Sequence, residues 1–261
     1  MQIKGIDVSY HQGLIDWKKV KQSGIEFAII RAGYGRNTVD KKFIENIVGA
    51  NTAGLKIGIY WFIYATNVQE AIENADMCHK AIALYKDIIT MKVWADYEYD
   101  SDAYSVRQGV KQTNASRTAI VRAFLGRLKS LGYDVGNYAN PDYLKGKFEP
   151  LNEYPLWLAK YSHSMGDYTP LMWQHTSTGT VPGIGGNVDL NIFFEERETK
   201  VEYYPVPEIT LIDYFKKIDV DSTYANRKQI AIRNGITDYS GTAEQNLKLL
   251  DLLKNGKLIK R

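Results

Sequence analysis

Residues 93–99 read Val93-Trp94-Ala95-Asp96-Tyr97-Glu98-Tyr99, and the chain is organised around them. β-Branched and aromatic residues in so short a run predict a strand. Strand side chains alternate faces, so Asp96 and Glu98 point the same way, roughly 6.6 Å apart along the backbone. Two neighbouring carboxylates are costly as ordinary core. They fit either the polar face of a half-exposed strand or a cleft where one acid keeps its proton. Two acids of unequal proton affinity are the equipment for breaking a glycosidic bond.

Outward from this run, strand and helix patterns alternate. Towards the N-terminus, residues 2–8 read as a strand with Asp7 near its end, and Ile15, Trp17 and Val20 suit a short helix. Residues 24–33 form a nearly continuous apolar run, as in a parallel strand covered on both faces. A helix is predicted over 40–53, stopped by Gly54, then a strand over 55–65 and a helix over 68–84. Beyond the Asp-Tyr-Glu run, an irregular polar stretch leads to a helix over 114–131 with Asn114 as N-cap. Further strands are predicted at 133–139, 154–161, 171–176 and 188–193, with little room for helices among the last three. Repeated strand–helix alternation indicates parallel β/α architecture. Because the helices fade after the fifth unit, an α/β barrel of about eight strands, irregular in its second half, is expected. No Gly-x-Gly-x-x-Gly follows the first strand, which argues against a nucleotide-binding sheet.

The character changes near residue 200. The barrel is assigned to 1–200, a linker to 201–207, which holds Pro205 and Pro207, and a helical module to 208–261. In that module short helices are expected from Leu211 and Asn226, then one over 242–255 with Leu247, Leu250 and Leu253 on one side. Residues 208–261 hold ten Lys/Arg against seven Asp/Glu, so the chain's net charge of +3 lies there. A module this small has little core of its own, which suits a binding adaptor better than a catalyst.

Composition narrows the class. A net charge of +3 is too small to argue for nucleic acid. Cys78 is the lone cysteine, so no internal disulfide is expected. No apolar run approaches the ~20 residues of a membrane span, and no membrane partner is expected. The first residues lack the pattern of a secretory signal, which predicts synthesis in the cytoplasm. His11 and His175 do not make a His-x-x-x-His pair, so no metal or other cofactor is expected. Ser9 lacks a Gly-x-Ser-x-Gly elbow, which argues against a serine hydrolase.

In a parallel β/α barrel, functional residues sit at the C-terminal ends of strands. Asp7, Asp96, Glu98 and Asp189 all fall at such ends and are expected to meet at one mouth. Acids crowded together raise one another's pKa, which helps a general acid stay protonated. Asp16, Asp40 and Asp87 read instead as loop or cap acids.

Asp7-Val8-Ser9-x-x-Gln12, Arg31-Ala32, Gly58-x-Tyr60, Asp96-x-Glu98, Trp173-Gln174 and Val188-Asp189 occur in that order. Over about residues 1–196 this set resembles the family 25 glycoside hydrolases, the Chalaropsis-type muramidases found among phage endolysins and bacterial autolysins. The resemblance implies a (β/α)5β3 barrel. It also implies cleavage of the β-1,4 bond between N-acetylmuramic acid and N-acetylglucosamine in peptidoglycan. By the same resemblance Glu98 is the acid/base and Asp96 stabilises a reacting group at the anomeric side. Asp7 and Asp189 tune charge and hold the cleft. Either a protein carboxylate or the substrate's own acetamido carbonyl serves as nucleophile. The substrate-binding set is Tyr60, Trp61, Tyr138, Trp157, Trp173, Gln174 and Arg31. The rings serve as sugar platforms or as plain core, and Arg31 also balances the acids. Many relatives have Tyr-His-Phe where this chain has Tyr60-Trp61-Phe62, so a role carried by that histidine does not transfer. Residues 208–261 are similar to small modules appended to phage lysins, which implies attachment to a wall ligand. A phage lysin waits in the cytoplasm for a pore-former to release it to the wall, and the same route is expected here. A sugar-binding protein without turnover and a hydrolase of chitin are the alternatives.

Overall fold

Val93–Asp96 is a strand buried at every position. The computed structural model describes residues 2–194 and 211–260. The linker expected at 201–207 and the boundary at 200 lie outside the described residues. The chain divides into two units, Met1–Glu196 and Arg197–Arg261.

In the first unit the elements are β1 (Gln2–Val8), α1 (Trp17–Gln22), β2 (Phe27–Tyr34), β3 (Thr38–Val39), α2 (Phe43–Thr52), β4 (Lys56–Phe62) and α3 (Val68–Ile82). They continue with β5 (Val93–Asp96), α4 (Tyr99–Arg107), α5 (Asn114–Ser130), β6 (Val135–Ala139), β7 (Leu156–Ala159), β8 (Met172–Gly179) and β9 (Val188–Phe194). β1, β2, β4, β5, β6, β7 and β8 pair in parallel in that order. β9 runs antiparallel to both β8 and β1 and closes the ring. The expected barrel with helices only in its first part is what forms. β3, a two-residue strand folded back on β2, is too short to leave a sequence pattern.

Two apolar layers sit on opposite faces of the strands. Ile29, Trp94, Trp157 and Met172 fill the interior, while Ile30, Ile57, Ala95 and Val121 join strands to helices. Interior glycines make room for large rings. A Cβ on Gly136 would stand 2.3 Å from the Trp94 ring, and one on Gly5 would stand 2.4 Å from Phe27. Packing at interior density admits neither.

Three local expectations are corrected. The strand stops at Asp96, and Glu98 is the N-cap of α4. That helix falls where an irregular polar stretch was expected. Its buried positions are Ser101 and Ser105, not an apolar stripe, so no hydrophobic period marks it. The α5 cap is Thr113 rather than Asn114. Thr113 Oγ1 accepts from Ser116 N at 3.1 Å, and Thr113 N donates to Ser116 Oγ at 2.8 Å.

The second unit has α6 (Leu211–Lys217), α7 (Tyr224–Arg233) and α8 (Ala243–Lys254). They share a core of Leu211, Phe215, Ile230, Tyr239, Leu249 and Leu253. Leu247, expected inward, is 63% exposed. Five leucines between 247 and 253 offer more than one stripe, and the one through Leu249 and Leu253 is buried.

Candidate active site

All eight barrel strands contribute to one cleft of about 180 Å³. Asp7 comes from β1, Arg31 from β2, Tyr60 and Phe62 from β4, Asp96 from β5 and Tyr138 from β6. Trp157 comes from β7, Gln174 from β8, Asp189 from β9, and Glu98 from the cap of α4. The positions of Asp7, Asp96 and Gln174 place this cleft at the C-terminal ends of the parallel strands.

Tyr97 explains how Asp96 and Glu98 come to face the same way although the strand has ended. Its side chain points outward and is 1% exposed. Its hydroxyl donates to Asp102 Oδ1 at 3.0 Å. Asp102 is held in turn by Arg117 Nε at 2.7 Å and Tyr143 Oη at 2.8 Å. Glu98 keeps extended dihedrals, φ −130° and ψ −168°, so alternation continues one step past the sheet. The two carboxyls flanking Tyr97 thus turn into the cleft, within hydrogen-bond reach of each other.

Asp7 and Asp189 form a second pair. They are direct partners in the antiparallel β1–β9 register, and their carboxyls also lie within hydrogen-bond reach. Gln174 Nε2 and Asn191 Nδ2 both donate to Asp7 Oδ2, at 2.9 and 2.7 Å. Asn191 Oδ1 accepts from Trp157 Nε1 at 2.8 Å, and Gln174 Oε1 accepts from Tyr138 Oη at 3.0 Å.

Burial dominates the electrostatics. It raises Asp96 well above the ordinary carboxylate range, with the Glu98 charge adding to the effect. Burial likewise raises Asp7, helped by Asp189, although two amide donors oppose it. Glu98 is raised by burial, and its contact with Asp96 pulls it back. Asp189 is pushed up to about 6, again by burial first. Each pair therefore holds a proton more tightly than an ordinary carboxyl does. In the Asp96–Glu98 pair Asp96 is the more deeply buried member, 5% exposed, whereas Glu98 is half-buried.

Arg31 lines the cleft and its charge lowers Asp96, as expected, but its ion-pair partner is a further acid. Its Nε donates to Asp40 Oδ2 at 2.8 Å, and its guanidinium lies 5.0 Å from the Tyr10 ring centre. Asp40 is 3% exposed and also accepts from Tyr10 N, so the loop acid of the sequence reading is the buried counter-ion of Arg31.

Two expected binding residues lie elsewhere. Trp61 is fully buried on the helix-facing side of β4, with its Nε1 donating to Gly35 O at 3.1 Å. Strand alternation puts it opposite Tyr60. Trp173 alternates with Gln174 in the same way, and its Nε1 donates to Lys160 O at 2.9 Å, outside the cleft. Phe62 and Asn191 were not anticipated. Each stands two residues from an expected cleft residue on the same strand, Tyr60 and Asp189, so the period of two marks both. Among the described residues no group of His, Cys, Asp and Glu is arranged to hold a metal ion.

A larger groove of about 1160 Å³ opens at the N-terminal ends of β7 and β8, beside Tyr154, Tyr168 and Leu171. Glu153 there is bound to Arg122 at 2.6 Å and held below the usual carboxylate range by that bond. Such an acid cannot donate a proton near neutral pH, so size does not locate the chemistry.

Comparison with known proteins agrees with this geometry. The model of glycosyl hydrolases family 25 matches residues 6–184. The chain is 30% identical over 196 residues to the autolytic lysozyme of Clostridium acetobutylicum, covering 74% of this chain and 56% of that protein. It superposes on the modular autolysin LytC of Streptococcus pneumoniae, solved with a synthetic peptidoglycan ligand, with a TM-score of 0.65 and 26% identity. That alignment covers 74% of this chain and 47% of LytC, so the chain spans about half the length of these two proteins. A 47-residue stretch is 53% identical to the L-alanyl-D-glutamate peptidase of Listeria phage A118, covering 18% of this chain and 17% of the peptidase. With the barrel, the acid pairs and the family model in agreement over most of its first unit, the chain belongs to glycosyl hydrolase family 25.

Proposed function

We propose that this protein is a peptidoglycan hydrolase, an N-acetylmuramidase that cuts the β-1,4 bond between N-acetylmuramic acid and N-acetylglucosamine. The observation that carries the reading is the Asp96–Glu98 pair, two carboxyls in contact at the strand ends and both raised by burial. Family membership and the lysozyme and autolysin relatives support the substrate class.

Glu98 is the more open member and acts as the acid on the leaving glycosidic oxygen. The retaining mechanism with a protein nucleophile needs two carboxyls about 5–5.5 Å apart, and the inverting one needs them farther apart. Asp96 and Glu98 stand two residues apart on one segment and turn into the cleft from the same side, which leaves Asp96 badly placed to attack the opposite face of the sugar. This favours the substrate's acetamido oxygen as nucleophile, with Asp96 accepting a hydrogen bond from the acetamido N–H. That N–H stabilises ionised Asp96, so the shared proton is placed on Glu98 as substrate arrives. Glu98 then gives it to the leaving oxygen and, as a carboxylate, takes a proton from the incoming water. Asp7 and Asp189 form the wall beside this centre and hold the local negative charge in check by sharing a proton.

The second unit is proposed to bind the bacterial cell wall. A peptidase and a glycosidase cut different bonds, so the stretch shared with the phage peptidase is better explained by a common target than by common chemistry. Its length is close to that of the described part of the second unit, about 50 residues. The site of action proposed is the wall itself. Among the described residues no helix is long and apolar enough to cross a membrane.

Mass analysis of products from purified peptidoglycan tests the reading. Fragments ending in reducing N-acetylmuramic acid are expected. Release only from chitin, or no release, contradicts the assignment.

A further inference from the structure

The rings expected to stack on sugars are mostly committed to one another. Trp157 meets Tyr138 edge-on at 4.7 Å, Trp94 at 5.7 Å and Tyr60 at 6.2 Å between ring centres. Trp157 is 1% exposed and Tyr138 is 6% exposed. Trp157 and Tyr138 therefore present little surface, and Tyr60 is half-buried beside them in the cleft.

Tyr161 differs. It lies just beyond the C-terminal end of β7, on the mouth side of the barrel, and is 58% exposed. Its hydroxyl donates to Gln174 Oε1 at 3.1 Å, the same oxygen that accepts from Tyr138. The hydroxyl end is embedded among the acids: burial pushes the phenol up to about 12, and Asp189, Asp7 and Glu98 add to that. The backbone just before it is tied down as well. Lys160 N donates to Gln174 O at 3.0 Å, and Lys160 O accepts from Trp173 Nε1 at 2.9 Å. The ring is therefore anchored at its polar tip and at its backbone, with its body in solvent. Tyr99, the exposed tyrosine beside Glu98, is spoken for. Its hydroxyl donates to Asp142 Oδ2 at 2.9 Å, and Lys147 Nζ sits 4.8 Å from its ring centre.

We infer that Tyr161 is a saccharide platform on the rim of the cleft, stacking under the apolar face of an N-acetylated pyranose next to the Asp7–Asp189 pair. A pyranose turns a face of C–H bonds, slightly positive, towards the negative face of an aromatic ring. An exposed ring already held in one orientation loses little freedom when a sugar settles on it, which is the condition for tight stacking. Gln174 links this platform to Asp7, so a sugar seated on Tyr161 is placed in register with the acids. The inference rests on the glycan reading above and assigns it one further contact.

The test uses the full chain carrying Glu98→Gln, which binds glycan without cutting it. Affinity for soluble strands of alternating N-acetylglucosamine and N-acetylmuramic acid is measured by calorimetry. Adding Tyr161→Ala is expected to weaken binding by about tenfold, and Tyr161→Phe to restore it to within about threefold, since the ring remains. Unchanged affinity in the alanine variant overturns the platform. Equal weakening by alanine and phenylalanine also overturns it, because the hydroxyl tie and not the ring would then matter. If the Glu98→Gln parent fails to bind these strands, the platform falls as well. The wild-type digest then shows independently whether the hydrolase reading stands.

Discussion

Asp7 and Asp189 face each other directly across the antiparallel junction that closes the barrel, with their carboxyls in hydrogen-bond reach. Adjacent carboxyls in a buried setting cannot both ionise cheaply, so the fold favours a protonated member. A group whose pKa is raised on folding stabilises the fold below its ordinary pKa, and that contribution is lost as pH rises through the raised value. Asp189 is raised to about 6, and Asp7, Asp96 and Glu98 are raised too. The midpoint of thermal unfolding is therefore expected to fall between pH 5 and pH 8. Asp189→Asn should flatten that fall and raise the midpoint at pH 8. A midpoint in the parent that rises with pH over this window contradicts the paired-acid description.

Asn191 bridges the pair to the barrel floor, donating to Asp7 and accepting from Trp157. Asn191→Ala leaves both partners buried and one bond short, at about 1–3 kcal/mol for each unsatisfied group. Urea unfolding should show that loss. Turnover on soluble glycan should fall by an order of magnitude or more, because Asp7 is then held by Gln174 alone, with a smaller change in KM. Unaltered stability would mean that these bonds do not form.

Trp61 offers the contrast of a conspicuous aromatic with no place in the cleft. Its indole is buried against the helices and bonded to Gly35 O. Trp61→Ala is expected to lower stability by about 3–5 kcal/mol, as for other large-to-small changes in a core. Trp61→Phe, measured below its unfolding range, should leave KM for glycan within about twofold. A large rise in KM with normal stability would place Trp61 in the binding surface.

The second unit has its own hydrophobic core, so its removal should not unfold the barrel. A chain ending at residue 207 is expected to cut soluble glycan fragments at near full rate yet sediment poorly with intact walls. Equal co-sedimentation of the short and full chains would remove the proposed binding role.

Much of the barrel was legible because its signals are periodic. Continuous apolar strands, amphipathic helices such as Val68–Ile82 and stop signals such as Gly54 all report local geometry. The acids were legible because carboxylates are conspicuous in apolar strands. α4 was not, since it buries serines through hydrogen bonds such as Ser105 Oγ to Ala65 O at 3.3 Å and shows no apolar stripe. The Arg31–Asp40 pair was half legible. Arg31 does balance the cleft acids through its charge on Asp96, but its ion-pair partner Asp40 comes from a loop whose approach only the tertiary fold determines. Residue type points Trp61 and Trp173 towards the cleft, whereas strand parity turns both away from it. Nothing in a strand-end tyrosine such as Tyr161 reveals that its ring stays in solvent while its hydroxyl is held.

The most direct test of the account is the turnover of Glu98→Gln on purified peptidoglycan, followed by reducing-end release, with circular dichroism confirming the fold. General acid catalysis contributes roughly 10²–10⁴-fold. The variant is expected to lose at least 10²-fold in kcat while still binding glycan. A folded Glu98→Gln protein that cuts at near the parent rate would show that the proton comes from elsewhere and would contradict the assignment.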